Sequence, residues 1–107
     1  MTHPKTISPA AAAALLEEGA LLVDIREAAE RQSGVIPNAA HAPLSALQAC
    51  EIPVAPGQPV IFHCKSGGRT GLNAAALAAK VNGCEAYLLE GGIDAWRSEG
   101  LPVADPE

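Results

Sequence analysis

Aromatic residues are scarce in this chain: tryptophan, tyrosine and phenylalanine occur once each. Basic residues are also few. Seven lysines and arginines against twelve aspartates and glutamates give a formal net charge of -5, and no basic cluster interrupts it, which excludes nucleic acid or an anionic membrane surface as the main partner. Long hydrophobic runs are missing too. The longest, Ala10 to Leu16 and Ala20 to Val23, fall far short of the roughly 20 residues that span a bilayer, so no membrane segment is expected. MTHPKTISP carries no apolar stretch behind its lysine and does not resemble a signal peptide, which places the chain in the cytoplasm. Cysteine is limited to Cys50, Cys64 and Cys84, an odd number at wide spacings with no C-x-x-C. That pattern suggests neither a disulfide framework nor a zinc site, and no metal or other cofactor is expected.

What is present describes a globular protein. The 107 residues, 49% of them hydrophobic, suffice for one core and are too few for two, so residues 1–107 are read as one domain. Short apolar runs alternate with helical patterns. Thr6 and Ile7 begin a brief strand. Ser8-Pro9, an N-cap residue followed by proline, opens an alanine-rich helix that runs to Glu18 and stops at Gly19. Leu21 to Ile25 reads as a strand buried on both faces, and REAAERQ as a short helix with Arg26 and Glu30 on one face, ended by Gly34. Ala39 to Ala42 makes another short strand and Leu44 to Ala49 a helical turn or two. Pro59 to His63 is the clearest strand. Gly71 to Val81 follows as a helix with Leu72, Ala75, Ala76 and Ala79 as its apolar stripe, then a strand over Ala86 to Leu89 and a last helix over Ile93 to Ser98. Alternation of this kind predicts an α/β fold, a mainly parallel central sheet of about five strands with helices on both faces.

That architecture gives FHCKSGGRT, residues 62–70, a definite place. Active sites of open α/β sheets lie at the carboxyl ends of the strands, and Cys64 directly follows the central strand. Gly67 and Gly68 permit positive φ, so successive N–H groups of the turn can point at one spot, and the following helix, expected to begin near Thr70, adds partial positive charge. With Lys65 and Arg69 close by, these features favour the Cys64 thiolate. The stretch describes a nucleophile inside an anion cradle, although glycine-rich turns with a nearby arginine also bind phosphates without covalent chemistry. Cys50 and Cys84, outside any glycine-rich or basic loop, read as small buried hydrophobes.

The loop C-K-S-G-G-R-T resembles the active-site loop of single-domain rhodaneses, C-x-S-G-x-R-[ST]. LVDIREAAE is similar to the family's V-D-[VI]-R-x-x-x-E, GVIPNA to its G-H-I-P-G-A, and LLEGGIDAWRSEGLPV to its closing L-x-G-G-x-x-x-W-x-x-x-G-x-P, so the resemblance covers nearly the whole chain. It looks closest to the rhodanese domain of bacterial inner-membrane sulfurtransferases, in which IFHC, a similar loop, GIDxW and GLPV recur before a transmembrane hairpin that this sequence does not contain. The resemblance implies a three-layer α/β/α rhodanese fold and thiosulfate sulfurtransferase chemistry. Cys64 would take a sulfane sulfur from a small anion such as thiosulfate, hold it as a persulfide, and pass it to cyanide, a thiol or a protein cysteine. Lys65 and Arg69 would attract and orient the donor, Ser66 and Thr70 would add hydroxyl donors, and Gly67 and Gly68 would contribute the backbone cradle.

The other matched residues read as structural. Asp24 is expected to accept hydrogen bonds from neighbouring loop N–H groups, Arg26 and Glu30 to pair and fix that loop, and Trp96 to anchor the core from the last helix. Strand alternation turns His63 away from Cys64, and a thiolate held by its loop needs no base. Val35 stands where the family has histidine. Asn38 stands where it has glycine, and asparagine tolerates positive φ better than most residues. Two alternatives accompany this assignment. Cysteine-dependent phosphatases and arsenate reductases share the fold but use C-x5-R, one residue longer than Cys64 to Arg69, and non-catalytic rhodanese-like binding modules often lack the cysteine.

Overall fold

The computed structural model describes residues 4–105. Five strands, β1 (Lys5–Ile7), β2 (Leu21–Asp24), β3 (Ala40–His41), β4 (Val60–His63) and β5 (Ala86–Leu89), form one sheet in the order β1-β5-β4-β2-β3 with every pairing parallel. Four α-helices accompany them, α1 (Pro9–Glu17), α2 (Gly68–Leu72), α3 (Ala74–Lys80) and α4 (Gly92–Ser98), with 3-10 turns at Glu30–Ser33 and Leu44–Ala49. The Ser8 side chain accepts from the Ala11 N–H at 3.1 Å, so α1 starts where its cap and proline indicated.

Two apolar clusters are buried, in keeping with side chains that alternate across a strand. Val23, Val60, Phe62 and Leu88 pack with Leu77, Val81, Leu47 and Cys64. Leu22, Ile61 and Leu89 pack with Ala12 of α1 and with Ile93 and Trp96 of α4. The sheet is therefore covered on both faces, the environment in which β2 and β4 can be continuously buried. Trp96 anchors its cluster and donates its indole N–H to the Pro102 carbonyl at 2.7 Å. Asn38 holds φ +68°, the backbone expected of a glycine substitute.

Three local features differ from the sequence expectation. REAAERQ forms only the 3-10 turn at Glu30–Ser33, because Arg26 is drawn back onto Asp24 and the Arg26 N–H is spent on that carboxylate. The helix after the cysteine loop starts at Gly68 and breaks at Asn73, whose side-chain amide competes for the Arg69 carbonyl at 2.8 Å. Its buried side is also the other one. Thr70, Leu77 and Val81 face inward while Leu72 is 88% exposed and Ala75, Ala76 and Ala79 point to solvent. Alanine satisfies a helix on either face, so it misplaced the apolar stripe. Truncating the buried leucine should decide the matter: Leu77→Ala is expected to lower unfolding free energy by about 2–5 kcal/mol and Leu72→Ala by less than about 0.5 kcal/mol, read from urea denaturation midpoints.

Candidate active site

Cys64 follows β4, the middle strand, so the loops after β2 and β5 flank it at the carboxyl edge of the sheet. Its side chain is 1% exposed and lies among the core residues. The Gly67 N–H donates to Sγ at 3.1 Å, and the Thr70 hydroxyl lies 3.9 Å from the sulfur while donating to the Gly67 carbonyl. Burial alone pushes the Cys64 thiol up. The backbone N–H groups of Thr70, Gly67 and Arg69, with the Thr70 hydroxyl, outweigh it and hold the thiol below its ordinary range. Of the two loop glycines only Gly67 takes positive φ, +96°; Gly68 is the first residue of α2 and needs no such freedom.

The loop is oriented by α4. The Ile93 N–H donates to the Cys64 carbonyl and the Asp94 N–H to the Lys65 carbonyl, both at 3.0 Å. These first-turn donors have no partner within their own helix, and the contacts turn two loop carbonyls away from the sulfur. The approach is possible only because residue 92 is glycine. A Cβ there would lie 2.5 Å from both carbonyl oxygens, and Gly92 also sits at φ +58°. Gly91, at φ +73°, abuts Gly67, whose own added Cβ would come within 3.3 Å of the Gly91 nitrogen. Sequence reasoning matched this Gly-Gly pair to a motif without giving it a role. The signal was two adjacent glycines at a strand-to-helix junction, where close backbone approach is the usual physical reason.

The structure brings the remaining candidate residues together in an unexpected pairing. Arg69 forms two hydrogen bonds to the Glu30 carboxylate, Nη1 to Oε1 at 2.6 Å and Nη2 to Oε2 at 2.7 Å. Lys65 Nζ donates to Asp94 Oδ2 at 2.9 Å. Arg26 pairs with Asp24 rather than Glu30: Nε and the backbone N–H reach Oδ1 at 3.1 and 2.9 Å, and Nη2 reaches Oδ2 at 2.9 Å and the Gly34 carbonyl at 2.9 Å. Arg26 and Glu30 meet only through the Glu30 carbonyl, at 3.4 Å. The Ser66 side chain is exposed and makes no hydrogen bond to the described residues.

Asp24 and His63 are paired in register on β2 and β4, and both point away from the face that holds Cys64. His63 is fully buried. Nδ1 lies 3.1 Å from the Cys64 carbonyl, and Nε2 is 3.7 Å from Asp24 Oδ2, too far for a hydrogen bond. Burial pushes His63 down despite the neighbouring Asp24 charge, so the ring is neutral at pH 7. For Asp24, burial raises and Arg26 lowers; the clamp wins and the carboxyl stays ionised. His63 is thus removed from the sulfur, as alternation required.

An all-parallel sheet with a cysteine in a short N–H-lined turn after its middle strand defines a class of cysteine-centred α/β domains. Within that class, residues 8–99 match the rhodanese-like domain family, and the chain belongs to it. It is 37% identical over 90 residues to a sulfurtransferase of Allochromatium vinosum, covering 84% of this chain and 83% of that protein. It is 33% identical over 98 residues to the thiosulfate sulfurtransferase GlpE of Pseudomonas savastanoi, covering 92% of each. The crystal structure of a rhodanese-related protein from Thermoplasma volcanium superposes with a TM-score of 0.79 at 26% identity, over 94% of this chain and 97% of that one.

The α4 contacts to the loop and the Arg69–Glu30 pair each make a prediction. Gly92→Ala should displace the loop carbonyls and slow alkylation of Cys64 by iodoacetamide at neutral pH about tenfold, the equivalent of one charge-assisted hydrogen bond to the thiolate. Mass spectrometry of the alkylated protein measures it. Glu30, held down to about 2 chiefly by Arg69, contributes stability above the ordinary carboxyl value of 4.5 and loses it as pH falls toward about 2. The stability difference between wild type and Glu30→Gln should therefore shrink over that window in denaturation curves taken at stepwise lower pH. The pair is a third exposed on each side, so the difference at neutral pH is expected to be modest.

Proposed function

We propose that the protein is a sulfurtransferase in which Cys64 carries the transferred sulfur as a persulfide. The observation that carries this reading is the turn of N–H groups closing on Cys64 Sγ, with Gly67 at 3.1 Å and a thiol held below its ordinary range. With thiosulfate as donor, the Cys64 thiolate attacks the sulfane sulfur and a new S–S bond forms. The bond from that sulfur to the sulfonate sulfur breaks, and sulfite leaves with the electron pair. The outer sulfur then bears the negative charge, which Gly67, Arg69 and Thr70 N–H groups can stabilise as they stabilise the thiolate. An acceptor thiolate or cyanide attacks the outer sulfur in turn and releases the Cys64 thiolate. Both steps are displacements at sulfur that call on no external oxidant or reductant, and the residues Lys65 to Thr70 serve as the cradle.

The kinship with proteins named sulfurtransferase supports the reaction class, and an unpaired reactive thiol suits a reducing compartment such as the cytoplasm. Among the described residues no helix is long and apolar enough to cross a membrane. A phosphatase role is disfavoured by the short loop and by Arg69, whose guanidinium is already engaged by Glu30 and not free to cradle phosphate. The test is intact mass after incubating the reduced protein with thiosulfate. Wild type should gain one sulfur and lose it on addition of cyanide, and Cys64→Ala should gain none. Sulfur uptake by Cys64→Ala, or robust aryl phosphate hydrolysis that disappears in Cys64→Ser, would overturn the reading.

A further inference from the structure

The two cations of the cysteine loop do not stand free at its mouth. Arg69 is held by both oxygens of Glu30 and Lys65 by Asp94, so each side-chain positive charge has its own carboxylate and the two pairs are neutral in sum. Beyond the rim the chain carries a net charge of -5, which repels anions over longer range. Stabilisation of the anionic sulfur comes chiefly from the backbone N–H groups of Thr70, Gly67 and Arg69, whose partial charges suit one anionic sulfur. A small dianion gains little from such an entrance. The two pairs also differ. Lys65 and Asp94 are 65% and 44% exposed, against a third for Arg69 and Glu30, so the lysine pair can be released without disturbing the core.

Resting on the sulfurtransferase reading, we propose that Asp94 is a specificity-determining residue which, by holding Lys65, selects against free dianionic donors and in favour of persulfides borne by thiols. The reaction needs no external cation. Cys64 thiolate attacks the outer sulfur of R–S–SH and the Sγ–S bond forms. The S–S bond of the donor breaks, and R–S⁻ leaves with the electron pair while the transferred sulfur keeps its proton until solvent removes it. The donor enters neutral and the charge of the Cys64 thiolate departs on R–S⁻, so no incoming anion has to be drawn past the paired lysine and arginine. Asp94 contributes in a second way through its backbone N–H on the Lys65 carbonyl, which a side-chain substitution leaves in place.

The test separates rim charge from sulfur transfer. Rates of Cys64 alkylation are measured with iodoacetate and iodoacetamide, reagents of similar size that differ by one negative charge. Asp94→Asn should raise the iodoacetate-to-iodoacetamide ratio about threefold, the scale of one exposed ion pair, and the gain should fade with added salt. Asp94→Glu should keep the wild-type ratio, and Asp94→Asn combined with Lys65→Met should abolish the gain. In turnover, Asp94→Asn should lower KM for thiosulfate by a similar factor with little change in kcat. Wild-type kcat/KM should be higher for 2-hydroxyethyl persulfide than for thiosulfate. An unchanged alkylation ratio in Asp94→Asn, a gain that survives Lys65→Met, or a wild-type preference for thiosulfate overturns the inference. Failure of both donors to load Cys64 would overturn the sulfurtransferase reading instead, and the alkylation ratio would still decide the role of Asp94.

Discussion

Everything at this site depends on two hydrogen bonds from the first turn of α4 to the loop after β4. Ile93 and Asp94 donate to the Cys64 and Lys65 carbonyls, and the contact satisfies both partners at once: helix N–H groups that have no acceptor within the helix, and loop carbonyls that would otherwise crowd the sulfur with negative charge. With the two carbonyls taken up by α4, the N–H groups of Gly67, Arg69 and Thr70 are left to face Sγ. The arrangement tolerates no side chain at residue 92, where a Cβ would sit at 2.5 Å from both oxygens. The Cys64 thiol is held below its ordinary range by backbone geometry, with burial opposing and oriented N–H dipoles prevailing.

Charge is handled pair by pair. Asp24 is buried, and a buried carboxylate is costly unless its oxygens are satisfied; Arg26 meets both oxygens and ties the same guanidinium to the Gly34 carbonyl, fixing the loop after β2. That loop then presents Glu30 to Arg69 across 39 residues of sequence. Lys65 and Asp94 close the other side at a separation of 29 residues. The ion pairs thus join the loops after β2, β4 and β5, the three that the strand order brings to one edge. Electrostatics here sets the shape of the mouth as much as its potential.

Much of this was legible in one dimension, and the parts that were not share a cause. Ser8-Pro9 marked the start of α1, the apolar run after PGQP marked β4, and Gly67-Gly68 marked the turn in which Gly67 takes positive φ, because caps, strand burial and positive φ are local demands on individual residues. The family motifs located Cys64 and its neighbours. Helix register was not legible in residues 71–81, where alanine on every side erased the contrast between faces. Arg26 and Glu30, four apart, suggested each other as partners only while a regular helix was assumed between them. Once Asp24 captured Arg26 the helix was lost, and Glu30 was left for Arg69.

The sequence by itself determined an α/β domain with a single thiol set in a glycine-rich turn, since hydrophobic period, turn chemistry and cysteine placement are written residue by residue. Tertiary structure decided which carboxylate meets which cation, which glycine admits a neighbouring backbone, and which way the loop carbonyls face. Those depend on strands β2, β4 and β5 lying side by side, so that residues 24–34, 64–70 and 91–94 reach one sheet edge. Distances of 3 Å between segments so far apart in the chain are set by packing, and spacing along the chain carries no measure of them.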